Sequence, residues 1–447
     1  MLIHAVARNR GVFMFTLGAL LVVAAAERTT FAQDAQAPSS AAQLSQPQSP
    51  LSQPQSPPAV AQAPGGFLSE PHMIKKSVDF VTSKFGDGND EPKSGFYPEL
   101  SNMITGAGWL AAGPGYRHYF SNDRILLDGS AAASWHFYKM VQGKFELPKL
   151  ANDRLIVGVQ GMWQDQTQVS YFGSGPDSLD ANHSLYRMQT TNLVGYATGK
   201  FNNSLSLEGD YGWLMRPKLM APGGTFSPNL PDTSVQLPGE PGINLSEQPN
   251  FLYARAAVIS DTRDHRSYPS SGGMYRAAAT LYSDQNTGTF SFNRYEAEGT
   301  QFIPLSEKRW VLAIRGWTLY SAIPSGNQIP FYMLPGIGGN NTLRDFPDYR
   351  FHDNNLLLAN AESRWALYEH VDAAVFFDAG NVAAQFSDLN LKKTSYGAGV
   401  RLHTRSVTFG RADVAYGSEG WRFVFRTNDP LRLSRVTRKI AAVPFNP

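Results

Sequence analysis

The chain has 447 residues, a formal net charge of +2, no cysteine, 12% aromatic residues and 40 glycines, with a mean hydropathy of −0.29. The lack of cysteine excludes a disulfide framework, a lipoprotein anchor and a thiolate metal site. Lys and Arg are spread out rather than run together, which gives no case for nucleic acid. No P-loop, dinucleotide fingerprint, Gly-x-Ser-x-Gly elbow or His-Glu-x-x-His pair occurs, so the sequence offers no catalytic, cofactor or metal site.

In chain order, residues 1–32 read as an export signal. Arg8 and Arg10 precede an apolar run from Gly11 to Ala26, with Ala24-Ala25-Ala26 or Thr30-Phe31-Ala32 as cleavage sites. That run is short for a membrane helix, which takes roughly 20 apolar residues. Residues 33–70 form a Pro/Gln/Ser-rich linker in which Leu44–Pro50 recurs unchanged as Leu51–Pro57. Such a segment buries no core and is expected to be disordered. Residues 71–95 are expected to be a short periplasmic segment. Pro71 suits a helical first turn, and Ile74, Val78, Val81 and Phe85 share a face, with Gly86 placed to stop the helix.

From Phe96 the apolar period becomes two, the signature of strands. Asp372, Ala374, Phe376, Asp378 and Gly380 fall on one face, and Val371, Ala373, Val375, Phe377 and Ala379 on the other. Gly397, Gly399, Arg401 and His403 likewise oppose Tyr396, Ala398, Val400 and Leu402, and Arg411 and Asp413 oppose Ala412, Val414 and Tyr416. One face therefore carries repeated Arg, Asp and Gly, which fits a hydrated lumen. Sixteen such strands fit between residues 96 and 427, from 96–104, 106–119 and 125–136 to 395–403, 407–417 and 420–427. Short polar turns (121–124, 151–153, 202–203, 306–308, 368–370) alternate with long connections at about 217–250 and 322–354. An even strand number with this asymmetry predicts an all-β protein: a transmembrane antiparallel β-barrel with short periplasmic turns and long outer loops.

Several stretches then resemble the BamA/TamA family of outer-membrane barrels. Gly338-Gly339-Asn-Asn-Thr-Leu343-Arg344-Asp345-Phe346 is similar to that family's Arg-Gly-aromatic loop motif. Asn360-Ala-Glu362 and Phe377-Asp378-Ala-Gly-Asn-Val382 are similar to the two strands that follow. Asp261-Thr-Arg263-Asp264 resembles its mid-barrel periplasmic turn, and Tyr171–Ser178 resembles a stretch of members without periplasmic POTRA domains. The resemblance implies that the loop folds back into the lumen and that Arg344 meets Glu362 and Asp378 there. A guanidinium fork suits two carboxylates. Where the family has Gly after the Arg, this chain has Asp345, which predicts a looser tip because glycine alone adopts φ > 0 without cost.

Ser418-x-Gly420-x-x-Phe423-x-Phe425 resembles the assembly signal of bacterial barrels, and the basic segment 428–447 beyond it reads as a solvated extension. The resemblance implies a barrel in the bacterial outer membrane that inserts or translocates proteins. Its partners would be outer-membrane lipids and unfolded client polypeptides or a barrel-assembly machinery. The alternatives are a solute-conducting pore lined by Arg255, Arg276, Arg294, Glu296, Arg315 and Arg401, and a structural surface antigen.

Overall fold

The computed structural model describes residues 66–85, 94–100, 111–223, 229–266, 268–306, 309–404, 408–426, 429–431, 439–440 and 443–445. The export signal, the Leu44–Pro57 repeat, Gly86 and residues 101–110 lie outside them. Helix α1 (His72–Phe85) comes first, followed by β1 (Gly95–Leu100), β2 (Ala111–Phe120), β3 (Ile125–Ser134), β4 (Lys139–Leu150), β5 (Leu155–Tyr171) and β6 (Ser184–Lys200). Next are β7 (Leu205–Met220), β8 (Phe251–Asp261), β9 (Gly272–Asp284), β10 (Phe292–Ser306) and β11 (Trp310–Ala322). Two short strands, β12 (Gly336–Ile337) and β13 (Phe351–His352), precede β14 (Asn355–Tyr368), β15 (Val371–Ala383), β16 (Lys393–His403), β17 (Thr408–Gly417) and β18 (Gly420–Arg426).

All but β12 and β13 form one 16-stranded antiparallel sheet in sequence order, a transmembrane barrel whose first and last members are β1 and β18. The wall is inverted relative to a water-soluble protein. On β15 the exposed positions are Val375 and Phe377, while Asp372, Phe376 and Asp378 are buried inside. On β18 the outward residues are Trp421, Phe423 and Phe425. An exposed apolar face opposite a buried polar one is stable only where lipid replaces water outside.

The two ends of the barrel differ for reasons legible in the turns. At one end Ser121-Asn122-Asp123 and Ala151-Asn152-Asp153 all hold φ between 49° and 65°. Asn and Asp tolerate that left-handed region best among non-glycine residues, so the wall reverses with few residues. At the other end the connections 221–250 and 323–354 are long. Gly420, at φ +99°, closes the Ser418-Glu419 turn at that end and begins β18.

Two terminal segments differ from the sequence expectation. The end of the linker, residues 66–70, is docked: Phe67 and Leu68 donate backbone hydrogen bonds to the carbonyls of Ala366 and Leu367 (2.9 and 2.8 Å). Glu70 accepts from the His370 amide at 3.0 Å. At its described positions the basic C-terminal segment is not a solvated extension. Asp429, Leu431, Ile440, Val443 and Phe445 are all buried. Leu431 packs with Phe302, Val311 and Ala313, and Phe445 stacks on Trp317 at 5.8 Å. The inward face of the wall supplies an apolar and aromatic surface that these side chains cover, and removing that surface from water favours the docked positions.

Candidate functional site: a loop held inside the barrel

The connection between β11 and β14 turns inward. β12 pairs with β13, with Gly336 opposite His352 and Ile337 opposite Phe351. Beyond this stem the chain reverses at Gly338 and Gly339, with φ of +116° and +91°. A Cβ at Gly338 would lie 2.5 Å from the Pro347 carbonyl oxygen, and one at Gly339 would lie 2.1 Å from Asp348 Oδ1. Only glycine fits both the backbone and the space. The turn closes on itself: the Gly339 amide donates to the Leu343 and Phe346 carbonyls (3.1 and 3.0 Å), and the Gly338 amide donates to Thr342 Oγ1 (2.9 Å). Leu343 and Phe346 then pack with Ile337, Phe351, Leu356, Leu358 and Val382.

This turn presents Arg344 to the wall. Its Nη1 donates to Glu362 at 2.7 Å, and its Nε and Nη2 donate to the two oxygens of Asp378 at 3.0 and 3.1 Å. The guanidinium also lies 3.6 Å from the Phe376 ring centroid. Glu362 in turn accepts from Arg364 (2.8 Å) and Arg401 (2.9 Å). Asp413 accepts from Arg401 and Arg411, and Asp429 takes a two-point hydrogen bond from Arg364 (2.8 and 2.9 Å). Arg344, Arg364, Arg401 and Arg411 thus meet Glu362, Asp378, Asp413 and Asp429, four cations against four anions, all buried. Burial works against the Arg344 cation, but Asp378, Glu362 and Asp413 outweigh it and raise its pKa above the ordinary guanidinium value. A neutral cluster in which every charged group is paired is the condition under which buried charges are tolerated.

The tip's backbone is gripped as well. The carbonyls of Asn340, Asn341 and Thr342 accept from Arg411 (2.7 Å), Arg315 (2.8 Å) and Asn360 (2.8 Å), and the Phe346 carbonyl accepts from Arg422. These donors come from β11, β14, β17 and β18. The loop is therefore keyed to several strands at once, which fixes its position more than it adds stability.

Asp345 corrects the expectation of a loose tip. Its φ is not in the left-handed region, which within the loop is adopted by Gly326, Gly338, Gly339 and Tyr349. The tip is fully packed, with Arg344 1%, Asp345 3% and Phe346 1% exposed. The close approach is provided across the gap, by Gly417, where a Cβ would lie 2.0 Å from Asp345 Oδ2. The Asp345 amide donates to Ser395 Oγ at 3.0 Å, but both carboxyl oxygens lack a partner. Burial pushes this carboxyl up to about 6 from its ordinary 3.8. Since the docked form holds its proton more tightly than the free loop, docking strengthens as pH falls from 6 toward 4 and weakens as pH rises through 6. We expect hydrogen-exchange protection of the Gly339 and Phe346 amides to be greater at pH 5 than at pH 7.5 in the wild type. In Asp345→Asn it should be pH-independent once intrinsic exchange rates are divided out. The same pH ratio in both proteins would contradict this reading.

The other residues singled out in the sequence lie elsewhere. Asp261 takes a two-point bond from Arg263 (2.8 and 2.9 Å), and Asp264 accepts from the amides of His265, Ser270 and Ser271 (3.0, 2.9 and 3.1 Å). They shape the β8–β9 turn, from which Tyr268 donates to Asp372 and stacks on His403 at 4.0 Å. Burial and the Asp372 carboxylate both raise the Tyr268 phenol, so it remains the donor. Phe423 and Phe425 face outward on β18, away from the loop.

The six charged residues expected to line a pore are engaged. Arg276 pairs with Glu296 (2.9 Å), Arg315 with Glu298 (2.7 Å) and Arg255 with Asp210. Arg294 donates to the Met333 carbonyl at 2.6 Å, and Arg401 belongs to the loop cluster. Their charges are neutralised by wall carboxylates or spent on loop carbonyls, so they form no anion-selective lining. Sequence alternation placed Arg401, Arg411 and Asp413 inward but did not show that they complete the Arg344 cluster. For Asp429 no periodic signal existed.

These features define a transmembrane β-barrel whose lumen is occupied by one of its own loops, pinned by a buried charge cluster. Residues 231–422, somewhat under half of the chain, match the Omp85 superfamily domain. Its fold is similar to that of BamA from Haemophilus ducreyi lacking POTRA domains 1–3, with a TM-score of 0.54 and 15% identity over 79% of this chain and 78% of that one. CdiB from Escherichia coli is also similar, with a TM-score of 0.49 and 12% identity over 75% of this chain and 62% of that one. No curated protein matches the chain by sequence.

Proposed function

We propose that this barrel resides in the bacterial outer membrane and assists the insertion or passage of other polypeptides, with residues 1–32 as its export signal. The observation that carries this reading is the Arg344 cluster within an Omp85 domain. A loop keyed to β11, β14, β17 and β18 couples the lumen to the last strands of the wall, and a passive conduit has no use for such coupling. The sheet edges add support. β1 and β18 span six and seven residues, and among the described residues no register joins them. An unpaired strand edge is a template for another strand.

Site-specific photo-crosslinkers at Phe96 on β1 and Phe423 on β18 test this against Val375 on the outer face of β15. Adducts with unfolded outer-membrane polypeptides are expected at Phe96 and Phe423, well above those at Val375. Equal or absent adducts at the three positions would contradict it.

A further inference from the structure

The lumen holds a second guest besides the loop, formed by Lys439, Ile440, Val443 and Phe445 of the same chain. Lys439 Nζ lies 2.6 Å from Glu208 and 3.2 Å from Thr198 Oγ1, with the Tyr196 ring centroid at 5.4 Å. Ile440 and Val443 are 3% and 4% exposed and pack among Tyr138, Tyr186, Phe251 and Phe331. Gln166 Nε2 donates to the Val443 carbonyl at 3.1 Å, and the Phe445 amide donates to the Tyr332 carbonyl at 3.0 Å. Phe445 lies between the Trp317 ring, stacked at 5.8 Å and 11°, and the Arg294 guanidinium at 5.5 Å.

Each class of contact that recognises a peptide is present: a carboxylate for a lysine, apolar seats for aliphatic side chains, an aromatic platform, and a donor and an acceptor for main-chain groups. They come from β5, β6, β7, β10, β11 and the inserted loop, so the seat belongs to the wall and not to the tail. Glu208 is buried, and an acid there without a cation would be costly. Phe445 also joins the apolar cluster of Leu343 and Phe346, on either side of Arg344.

We propose that the lumen contains a peptide-binding site for a segment with a lysine followed by aliphatic residues and a phenylalanine, and that Lys439, Ile440, Val443 and Phe445 are its resident ligand. The site closes the lumen beside the inserted loop and is vacated only when the tail leaves. This does not depend on what the barrel handles, and it stands if no client is found at β1 and β18.

The test uses the full chain in detergent or liposomes, with folding checked by heat-modifiable gel mobility. Hydrogen exchange at Ile440, Val443 and Phe445 should be slow in the wild type. It should accelerate by about tenfold or more in Lys439→Glu and in Phe445→Ala. The swap Glu208→Lys with Lys439→Glu should return it toward the wild-type rate, and it keeps the test valid if one single variant fails to fold. A fluorescently labelled peptide of residues 439–447 should bind saturably to the Lys439→Glu, Phe445→Ala double variant and not to the wild type. Exchange that is fast in the wild type or unchanged by the variants, no rescue by the swap, or no saturable peptide binding would each overturn the proposal.

Discussion

Replacing Arg344 with alanine is expected to release the inserted loop. The substitution leaves Glu362 and Asp378 buried with one fewer cation, although Glu362 keeps Arg364 and Arg401. Asp378 retains only the Asn360 amide, which donates at 2.8 Å, among the partners seen for it. Breaking one side of a buried pair costs about 3–5 kcal/mol, which lowers the docking equilibrium constant of the loop by roughly 10² to 4 × 10³. Hydrogen exchange at Gly339, Asp345 and Phe346, whose amides are bonded within the tip or to Ser395, should accelerate by about that factor. Exchange in β3 and β4, far from the cluster, should not change. Unaltered protection at the tip would show that apolar packing of Leu343 and Phe346 holds the loop and that the charge cluster is incidental.

Glu362→Ala should be more damaging still. This carboxylate meets Arg344 at 2.7 Å, Arg364 at 2.8 Å and Arg401 at 2.9 Å. Removing it sets three guanidinium groups against one another in a site that excludes water. Arg364 can fall back on Asp429 and Arg401 on Asp413, so the barrel wall should survive while the loop does not. Combining Glu362→Ala with Arg344→Ala removes a cation and an anion together, and the double variant should be less destabilised than the sum of the two. Residues sharing one charge network typically couple by about 1–3 kcal/mol. The unfolding midpoints of the four proteins in urea give the coupling directly. Strict additivity would mean that Arg344 and Glu362 do not act as a pair.

Much of the wall could be read from the sequence, for a physical reason. A membrane barrel has two chemically opposite faces, so strand alternation is strong: Asp372, Asp378, Arg401, Arg411 and Asp413 are inside, as period two requires. The strand positions follow from the same pattern and from turn residues such as Asn122-Asp123 and Asn152-Asp153. The proximity of Arg344 to Glu362 and Asp378 rested on resemblance for the partner and on alternation for the direction. What could not be read was everything without a period. The C-terminal segment has neither strand nor helix rhythm, and its contacts span great sequence distance, as with Gln166 and Val443, 277 residues apart. Its arginines suggested a solvated surface, whereas the described apolar residues before and after them, Leu431, Ile440, Val443 and Phe445, are buried. Asp345 misled for a related reason. The expected glycine role passed to Gly417, on a different strand, and no local pattern reports such an exchange.

The lumen is filled from within, by the loop around Arg344 and by Ile440, Val443 and Phe445. Single-channel conductance of the refolded wild-type barrel in a planar bilayer tests that most directly. A small, flickering conductance is the predicted result, with larger or less stable openings when Arg344 is replaced by alanine. A large, steady conductance in both proteins would contradict it.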